Sequence, residues 1–495
     1  MEDCCLGSTC SCLYVSCWTL LRLTTFLSIL QHISNSFTPK AAQLRFILIH
    51  LVFLLTKFNV QHSTMSPVLP FDIIALIIDN VGEDDTNILK ELALVSHSFL
   101  EISSKYLFAT IELHDADSKH HVASSKKGFV KLLRSKPDVV KYIRNLTYNI
   151  ERDHVQSQLP QFSPHLNIDN DDNLLSPILP NILRTISRLN CFKISASLLD
   201  WNHLNASLTS AFLHLMHLPT TNHIDLSSIN NFPLPSLTLS VGLLRLDMSR
   251  LICSDVDRLE EDGSPEFVVQ SEMRFKIREF HTTDSSQVTM ELLHTKMQDG
   301  RPAFNLMYLR RLSLSSISLE DNENMRYLLQ NAKSLEKLHL CIEHQSFVDL
   351  RGILSLSALT LKVFGLSISL SYSDALAHTG LLEELEAMAG QNTLEALSIE
   401  IQIDGNPAED DVGSIFWPVE EVLVKPGWSA LRQVSFKVEI IPAEYSAKLS
   451  EALQSLPDKY LSHLPKHESI AFNFSAYTST RRGLLLDTNN FFLYS

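Results

Sequence analysis

The clearest hydrophobic pattern in the chain begins at residue 69 and has the spacing of a helix. Pro70 suits the first turn of a helix, where its missing N–H would have no intrahelical partner, and Asp72 places a carboxylate at the positive end of the helix dipole. A single apolar stripe then follows at Ile73, Ile74, Ile77, Ile78 and Val81. The pattern predicts a helix that ends near Val81.

A second apolar pattern follows the polar break at residues 82–86. Its members are separated by four, three, four and three residues, which is the period of an amphipathic helix; they are Ile88, Leu92, Val95, Phe99 and Ile102. A third, short apolar stretch covers residues 106–108. We therefore expect three helical elements within residues 65–112.

Residues 69–108 resemble the F-box, a small three-helix module. The resemblance is carried by an ordered set of positions: Leu69, Pro70, Asp72, Ile73, Ile74, Ile77, Ile78, Leu92, Val95, Ser96 and Phe99. Phe99 stands where the family usually has a tryptophan, and the exchange keeps a large apolar side chain. The resemblance implies that this module binds a Skp-type adaptor and, through it, a cullin-RING ubiquitin ligase. The contacts that it implies are Leu69, Pro70, Ile73, Ile77 and Val95.

The same stripes also occur in ordinary helical hairpins, where they only pack a core. A lone module of about 40 residues buries too little apolar surface to be stable by itself, so a partner surface would stabilise it. Plain core packing stays open as the alternative.

Beyond residue 111 the chain returns repeatedly to a motif with the order aliphatic, two residues, aliphatic, one residue, aliphatic. In a strand the last two aliphatics point to the same face. The last five copies start at positions 309, 335, 363, 394 and 431, with helix-like stretches such as 321–334 and 372–389 between them. The clear copies are Ile143/Leu146/Tyr148, Leu189/Phe192/Ile194, Leu243/Leu246/Met248, Leu309/Leu312/Leu314, Leu335/Leu338/Leu340, Val363/Leu366/Ile368, Leu394/Leu397/Ile399 and Leu431/Val434/Phe436.

A strand and a helix in each unit, recurring every ~30 residues, are typical of a solenoid whose units stack to bury their apolar faces. The pattern resembles the leucine-rich repeat family in irregular form, because the asparagine that the family carries after the last strand leucine is absent. We expect an α/β fold: the small three-helix F-box module at residues 65–112, then an irregular leucine-rich-repeat-like α/β solenoid over residues 113–495. Acidic inserts are expected near residues 151–180, 254–265 and 405–412. The alternative is an ordinary α/β core in which leucine motifs recur by chance.

Side chains between the aliphatics of each copy should point to the solvated face of the sheet. Small and polar residues dominate these positions, and basic residues flank them. Such a face is suited to binding a protein target, although solvated faces share this composition. The residues assigned to it are Arg245, Asp247, Arg311, Ser313, Lys337, His339, Ser367, Ser398 and Ser435.

Residues 1–64 differ from the rest of the chain, because they hold five of its eight cysteines and two apolar runs too short or too interrupted for a spanning helix. Because Met65 opens the F-box-like segment, we expect residues 1–64 to be spurious or dispensable. A membrane anchor or an organelle signal is the alternative. The three remaining, isolated cysteines suit a reducing compartment.

The net charge of the chain and its lack of recognised motifs exclude several classes of function. A formal charge of -15 does not offer the basic footprint that nucleic-acid binding needs. The 14 glycines never come close enough for a phosphate-binding loop, and no metal-ligand, cofactor or catalytic motif was recognised. We therefore expect no enzyme activity, no cofactor and no metal.

Together these patterns predict a substrate-recognition subunit of a Skp/cullin/F-box ubiquitin ligase in the cytoplasm or nucleus. The layout resembles the large F-box families of mushroom-forming fungi. Two alternatives stay open: an F-box scaffold that acts outside any ligase, and an unrecognised enzyme on an α/β core.

Overall fold

The computed structural model describes residues 71–81, 86–95, 97–114, 126–150, 178–252, 276–296, 301–317, 322–342, 348–370, 379–404, 409–441, 447–467 and 469–478. The chain divides into two compact units, and the boundary in the sequence lies between Thr147 and Tyr148. The predictions for residues 1–64, for Leu69 and Pro70, and for the inserts at 151–177 and 254–265 fall outside the described residues.

The described part of the first unit begins with three helices, α1 (Phe71–Val81), α2 (Thr86–Val95) and α3 (His97–Leu107). Three helical elements were expected, but the prediction of one helix from residue 88 to 102 is wrong, because that stretch is divided between α2 and α3. The apolar stripe keeps its spacing of three and four residues across the division, so periodicity alone does not reveal it. The buried side chains of the three helices include Ile74, Ile78, Leu89, Leu92, Phe99 and Ile102.

The second unit is α/β, and ten of its described strands, β3 to β12, form a parallel sheet in which each strand pairs with the next one along the chain. The helices lie between strands in the sequence, as a repeating strand–helix pattern requires. The remaining α-helices and strands of the described residues are β1 (Thr110–His114), α4 (Lys126–Ser135), β2 (Asn145–Ile150), α5 (Ile178–Leu183), β3 (Cys191–Asp200), α6 (Ala206–Met216), β4 (His223–Asn230), β5 (Arg245–Ser249), β6 (Glu279–Thr283), α7 (Ser286–His294), β7 (Arg311–Ile317), α8 (Asn322–Asn331), β8 (Lys337–Ile342), β9 (Val363–Leu370), α9 (Leu381–Met388), β10 (Ala396–Asp404), α10 (Glu409–Leu423), β11 (Gln433–Ile441), α11 (Ala447–Tyr460) and β12 (Ala471–Thr478).

A repeated hydrogen bond fixes the register at the start of these strands. The carbonyl oxygen before one strand accepts two backbone N–H groups at the start of the next: Asn190 O binds the N–H groups of Asn222 and His223, and Arg310 O binds those of Glu336 and Lys337. The same arrangement recurs from Asn222 to Glu395 although the units differ in length. Equivalent strand positions therefore stay aligned despite irregular spacing in the sequence.

One face of the sheet holds the apolar core, and the helices between the strands pack on it. Phe212 of α6 contacts the rings of Tyr148 and Phe192, and Phe416 of α10 contacts the ring of Phe436. The expected burial of Leu335, Leu338 and Leu340 is confirmed. The repeated aliphatic motif thus supplies the core, as its alternation predicted.

The copy assigned to Val363/Leu366/Ile368 is out of register by two residues. Leu338 pairs with Phe364 and Leu340 with Leu366, so the equivalent copy is Leu361/Phe364/Leu366. Both faces of β9 are buried at residues 363–368. A strand buried on both faces lacks the alternation that would reveal its phase.

The acidic insert expected near residues 405–412 is only partly described. Residues 405–408 lie outside the described part of the chain, and Glu409, Asp410 and Asp411 form the first turn of α10. The backbone of these three residues is therefore helical, and their solvation stays a prediction.

Candidate functional site

The face of the sheet opposite the apolar core carries mostly polar side chains and is named the polar face. Its first row, one residue from each strand, includes Cys191, His223, Arg245, Glu279, Arg311 and Lys337; the central row includes Lys193, Asp225, Asp247, His281, Ser313, His339, Gly365, Ser398 and Ser435. The sequence predicted the central row correctly for Asp247, Ser313, His339, Ser398 and Ser435. Ser367 is displaced: Gly365 is the partner of His339, and Ser367 pairs with Cys341 in the next row.

The expectation that this row points to solvent is wrong for three residues. Ser313 is 2 % exposed, His339 4 % and Ser367 2 %. Side chains of one row come from strands that lie about 4.8 Å apart, so small neighbours shield one another from water. Arg245, Asp247, Arg311, Lys337, Ser398 and Ser435 keep partial exposure.

Asp247 is the centre of a cluster of charged groups on β4, β5 and β6. His223 Nε2 lies 2.8 Å from Asp247 Oδ2, and the Arg245 guanidinium lies 2.9 Å from the same oxygen. His281 Nε2 lies 4.0 Å from Asp247 Oδ1. The carboxylate is therefore surrounded by three basic side chains from three adjacent strands.

The pKa values in this cluster follow from burial opposed by pairing. Burial alone would raise the pKa of Asp247, but hydrogen bonds from His223 and Arg245 and the positive charge of neighbouring groups lower it to about 2. Burial would lower the pKa of His223, but its contacts with Asp247 and Cys191 raise it to about 9. At neutral pH the pair is an imidazolium and a carboxylate.

Further ion pairs join basic and acidic side chains of neighbouring strands in the first and central rows. Lys193 Nζ lies 2.8 Å from Asp225, and Glu279 lies 3.7 Å from Arg245 and 3.0 Å from Arg311. Lys337, next to Arg311 in the first row, has its pKa lowered by burial and by the charge of Arg311. Arg311 and Lys337 are thus two basic side chains that are direct neighbours in the first row.

His339 lies in a different environment, among uncharged groups. Its Nδ1 is 3.4 Å from Ser313 Oγ, and its Nε2 is 3.2 Å from Ser367 Oγ. Burial, with a smaller contribution from His281, lowers the pKa of His339 to about 4. The imidazole is therefore neutral at physiological pH.

Sequence reasoning missed Cys191, His223, Glu279 and His281. They lie on β3, β4 and β6, in separate repeat units, and no short motif joins them. Aligning the aliphatic motifs of β3 and β4 gives Cys191 and His223 equivalent strand positions, because each directly precedes the first core residue of its strand. The two residues then belong to one row. The missing signal was the β4 motif, which is not among the clear copies of the aliphatic pattern.

The three helices of the first unit expose apolar side chains. Phe71 is 50 % exposed, Leu76 53 % and Leu94 81 %. Of the predicted adaptor contacts, Ile73, Ile77 and Val95 lie in α1 and α2, but their side chains are outside the described part of the structure, as are Leu69 and Pro70.

Metal and membrane sites were sought over the described ranges. Within them no three His, Cys, Asp or Glu side chains come together in a way that could hold a metal ion. No helix in the described ranges has the length and apolar character needed to cross a bilayer.

Comparison with known proteins assigns no family to this chain. No protein-family model matches it, and no curated protein matches it in sequence.

Proposed function

We propose that this protein is a substrate-recognition subunit of a ubiquitin ligase, with the three helices α1 to α3 binding a Skp-type adaptor and the polar face binding a protein target. The observation that carries the proposal is the exposure of Phe71, Leu76 and Leu94 on a small helical unit. Exposed apolar side chains grouped on one small element favour a docking partner. The resemblance of residues 69–108 to the F-box supplies the identity of that partner.

The second part of the proposal concerns the target. The polar face combines side chains in one row on adjacent strands, which is an arrangement able to contact an extended segment of another protein. Arg311 and Lys337 give it local positive charge, so acidic groups of a target would be favoured there. Ser398 and Ser435 offer hydroxyl groups in the central row of the same face.

Adaptor binding is tested by co-purification of the full chain with a fungal Skp-type adaptor. Replacing Ile73 and Ile77 with aspartate places two charges in the proposed apolar contact and should abolish co-purification. The matched control is Leu359→Asp with Trp417→Asp, which adds two charges at exposed apolar positions of the second unit. Circular dichroism of both variants verifies folding.

Retained adaptor binding by the folded Ile73/Ile77 variant would refute the F-box assignment. If the wild type binds the adaptor but no associated protein is ubiquitylated in a reconstituted reaction, the scaffold alternative replaces the ligase. A reduced yield of captured target in Arg311→Ala with Lys337→Ala, but not in Lys425→Ala, would support the target-binding face. Lys425 is an exposed basic residue of the loop after α10, paired with Glu386 at 2.9 Å.

A further inference from the structure

Cys191, His223 and Asp247 come from the adjacent strands β3, β4 and β5 and form a continuous chain of polar contacts. Cys191 Sγ lies 3.2 Å from His223 Nδ1, and the other ring nitrogen of His223 lies 2.8 Å from Asp247 Oδ2. The three residues use both nitrogens of one imidazole. A thiol next to a base that is oriented by a third group is the geometry of an activated nucleophile.

We propose that Cys191, His223 and Asp247 form a thiol-activating relay, and that Cys191 is a site of oxidation by peroxide. This inference does not depend on the proposed function. Cys191 is partly exposed, whereas Cys341, the other cysteine in the described ranges, is buried on the same sheet.

His223 and Lys193 place two basic groups near the sulfur. His223 is protonated at neutral pH because its pKa is raised to about 9 by contacts that outweigh the effect of burial. Its Nδ1–H then donates to the sulfur while its Nε2–H donates to Asp247. Lys193, two residues along the same strand, adds a second cation near the thiol, although it is itself paired with Asp225. Thiolates, rather than thiols, are the reactive nucleophiles.

The reaction balances with the groups present and hydrogen peroxide as the oxidant. The thiolate sulfur attacks one peroxide oxygen, an S–O bond forms and the O–O bond breaks. The sulfur loses two electrons and becomes a sulfenic acid, while the second oxygen leaves as hydroxide and takes a proton from the His223 imidazolium to become water. Solvent then restores the proton on His223. Asp247 touches neither sulfur nor peroxide and is a positioning residue.

The test uses the full chain at pH 7 with hydrogen peroxide, followed by dimedone, which traps sulfenic acids. Peptide mass spectrometry measures the labelling rate separately at Cys191 and Cys341. Cys191 of the folded wild type should be labelled about tenfold faster than Cys341 and about tenfold faster than Cys191 of guanidinium-unfolded protein. His223→Gln should lower the Cys191 rate to that of the unfolded chain, and Asp247→Asn should lower it in part.

The control variant is His203→Gln, which removes another histidine paired with an aspartate, Asp200, at 3.6 Å, without contact with a cysteine. It should leave the rate at Cys191 unchanged. An equal rate in folded and unfolded wild-type protein would overturn the proposal without any variant. An undiminished rate in folded His223→Gln would overturn it as well.

Discussion

Two neighbouring stretches of the polar face stabilise their buried polar groups in opposite ways. The charged stretch, His223, Asp247 and Arg245 with Glu279 and Arg311, pairs each carboxylate with more than one base. The neutral stretch, Ser313, His339 and Ser367, keeps an imidazole uncharged between two hydroxyls. Pairing with an opposite charge makes buried charge tolerable, whereas burial between two hydroxyls favours the neutral imidazole.

The two stretches should make the stability of the fold depend on pH in opposite directions. Protonation stabilises the charged stretch, because the folded state raises the pKa of His223. Protonation destabilises the neutral stretch, because the folded state lowers the pKa of His339. Two histidines on one sheet should therefore respond to pH with opposite sign.

The largest effect is expected from removing the acid at the centre of the charged stretch. Asp247→Ala leaves His223 and Arg245 without their shared, mostly buried carboxylate, and should lower the free energy of unfolding by about 3–5 kcal/mol. The control, Asp225→Ala, removes the partner of the more exposed Lys193 and should cost less than about 1 kcal/mol. Urea denaturation at pH 7 measures both. Equal losses would show that Asp247, with its several basic partners, contributes no more to stability than Asp225.

The next effect concerns His339 on acidification. Its pKa is about 4 in the folded protein and about 6.5 when unfolded, so the unfolded state binds more protons between these values. The free energy of unfolding should fall as pH drops from 6.5 to 4, by about 3 kcal/mol from this residue alone. His339→Gln should lose that part of the pH dependence while retaining the contribution of other groups.

The contribution of His339 is isolated by subtracting the free energy of unfolding of His339→Gln from that of the wild type at each pH. Buried His281, whose pKa is also lowered by burial, is present in both proteins. Asp247, whose pKa is lowered from 3.8 to about 2, is likewise present in both proteins, so its contribution also cancels in the difference. A flat difference curve would mean that His339 is solvated, as the sequence alone suggested.

The charged stretch should respond to alkali instead. The pKa of His223 is about 9 when folded and about 6.5 when unfolded, so the folded state binds more protons in this window. Stability should decline as pH rises from 6.5 to 9, by about 2–3 kcal/mol. His223→Gln should remove this decline and leave the acid response of His339 intact. A decline that persists in the variant would assign it to other groups.

The sequence predicted much of the core but little of this chemistry. The positions of Leu335, Leu338 and Leu340 follow from the alternation of a half-buried strand, and the structure confirms their burial. The exposure of His339 could not be inferred in the same way, because it depends on side chains of the neighbouring strands, Ser313 on β7 and Ser367 on β9. Local alternation determines which face a residue occupies, and the side chains of neighbouring strands determine whether the residue is exposed to solvent.

The cluster around Asp247 illustrates the same limit. Asp247 and Arg245 were recognised as residues of the polar face, but their partners were not, because the register between β4 and β5 is set by backbone hydrogen bonds rather than by a fixed repeat length. The step in the chain from Asn222 to Leu244 is much shorter than the equivalent step from Glu395 to Arg432. Irregular spacing of this kind conceals rows of side chains that a regular repeat would reveal.

The smallest effect is expected at an ion pair near the other end of the sheet. Lys437 Nζ lies 3.5 Å from Glu400, and about a third of each partner's side chain or less is exposed, so solvent screens part of their attraction. Lys437→Ala should lower the free energy of unfolding by only about 0.5 kcal/mol, and 0.5 M salt should reduce the difference from wild type further. Lys437→Arg, which keeps the charge, is the control and should remain near the wild-type value. Urea denaturation at two salt concentrations measures the difference. A loss comparable to that of Asp247→Ala would extend the charged stretch to β10 and β11 and would remove the contrast between a buried, shared carboxylate and a screened pair.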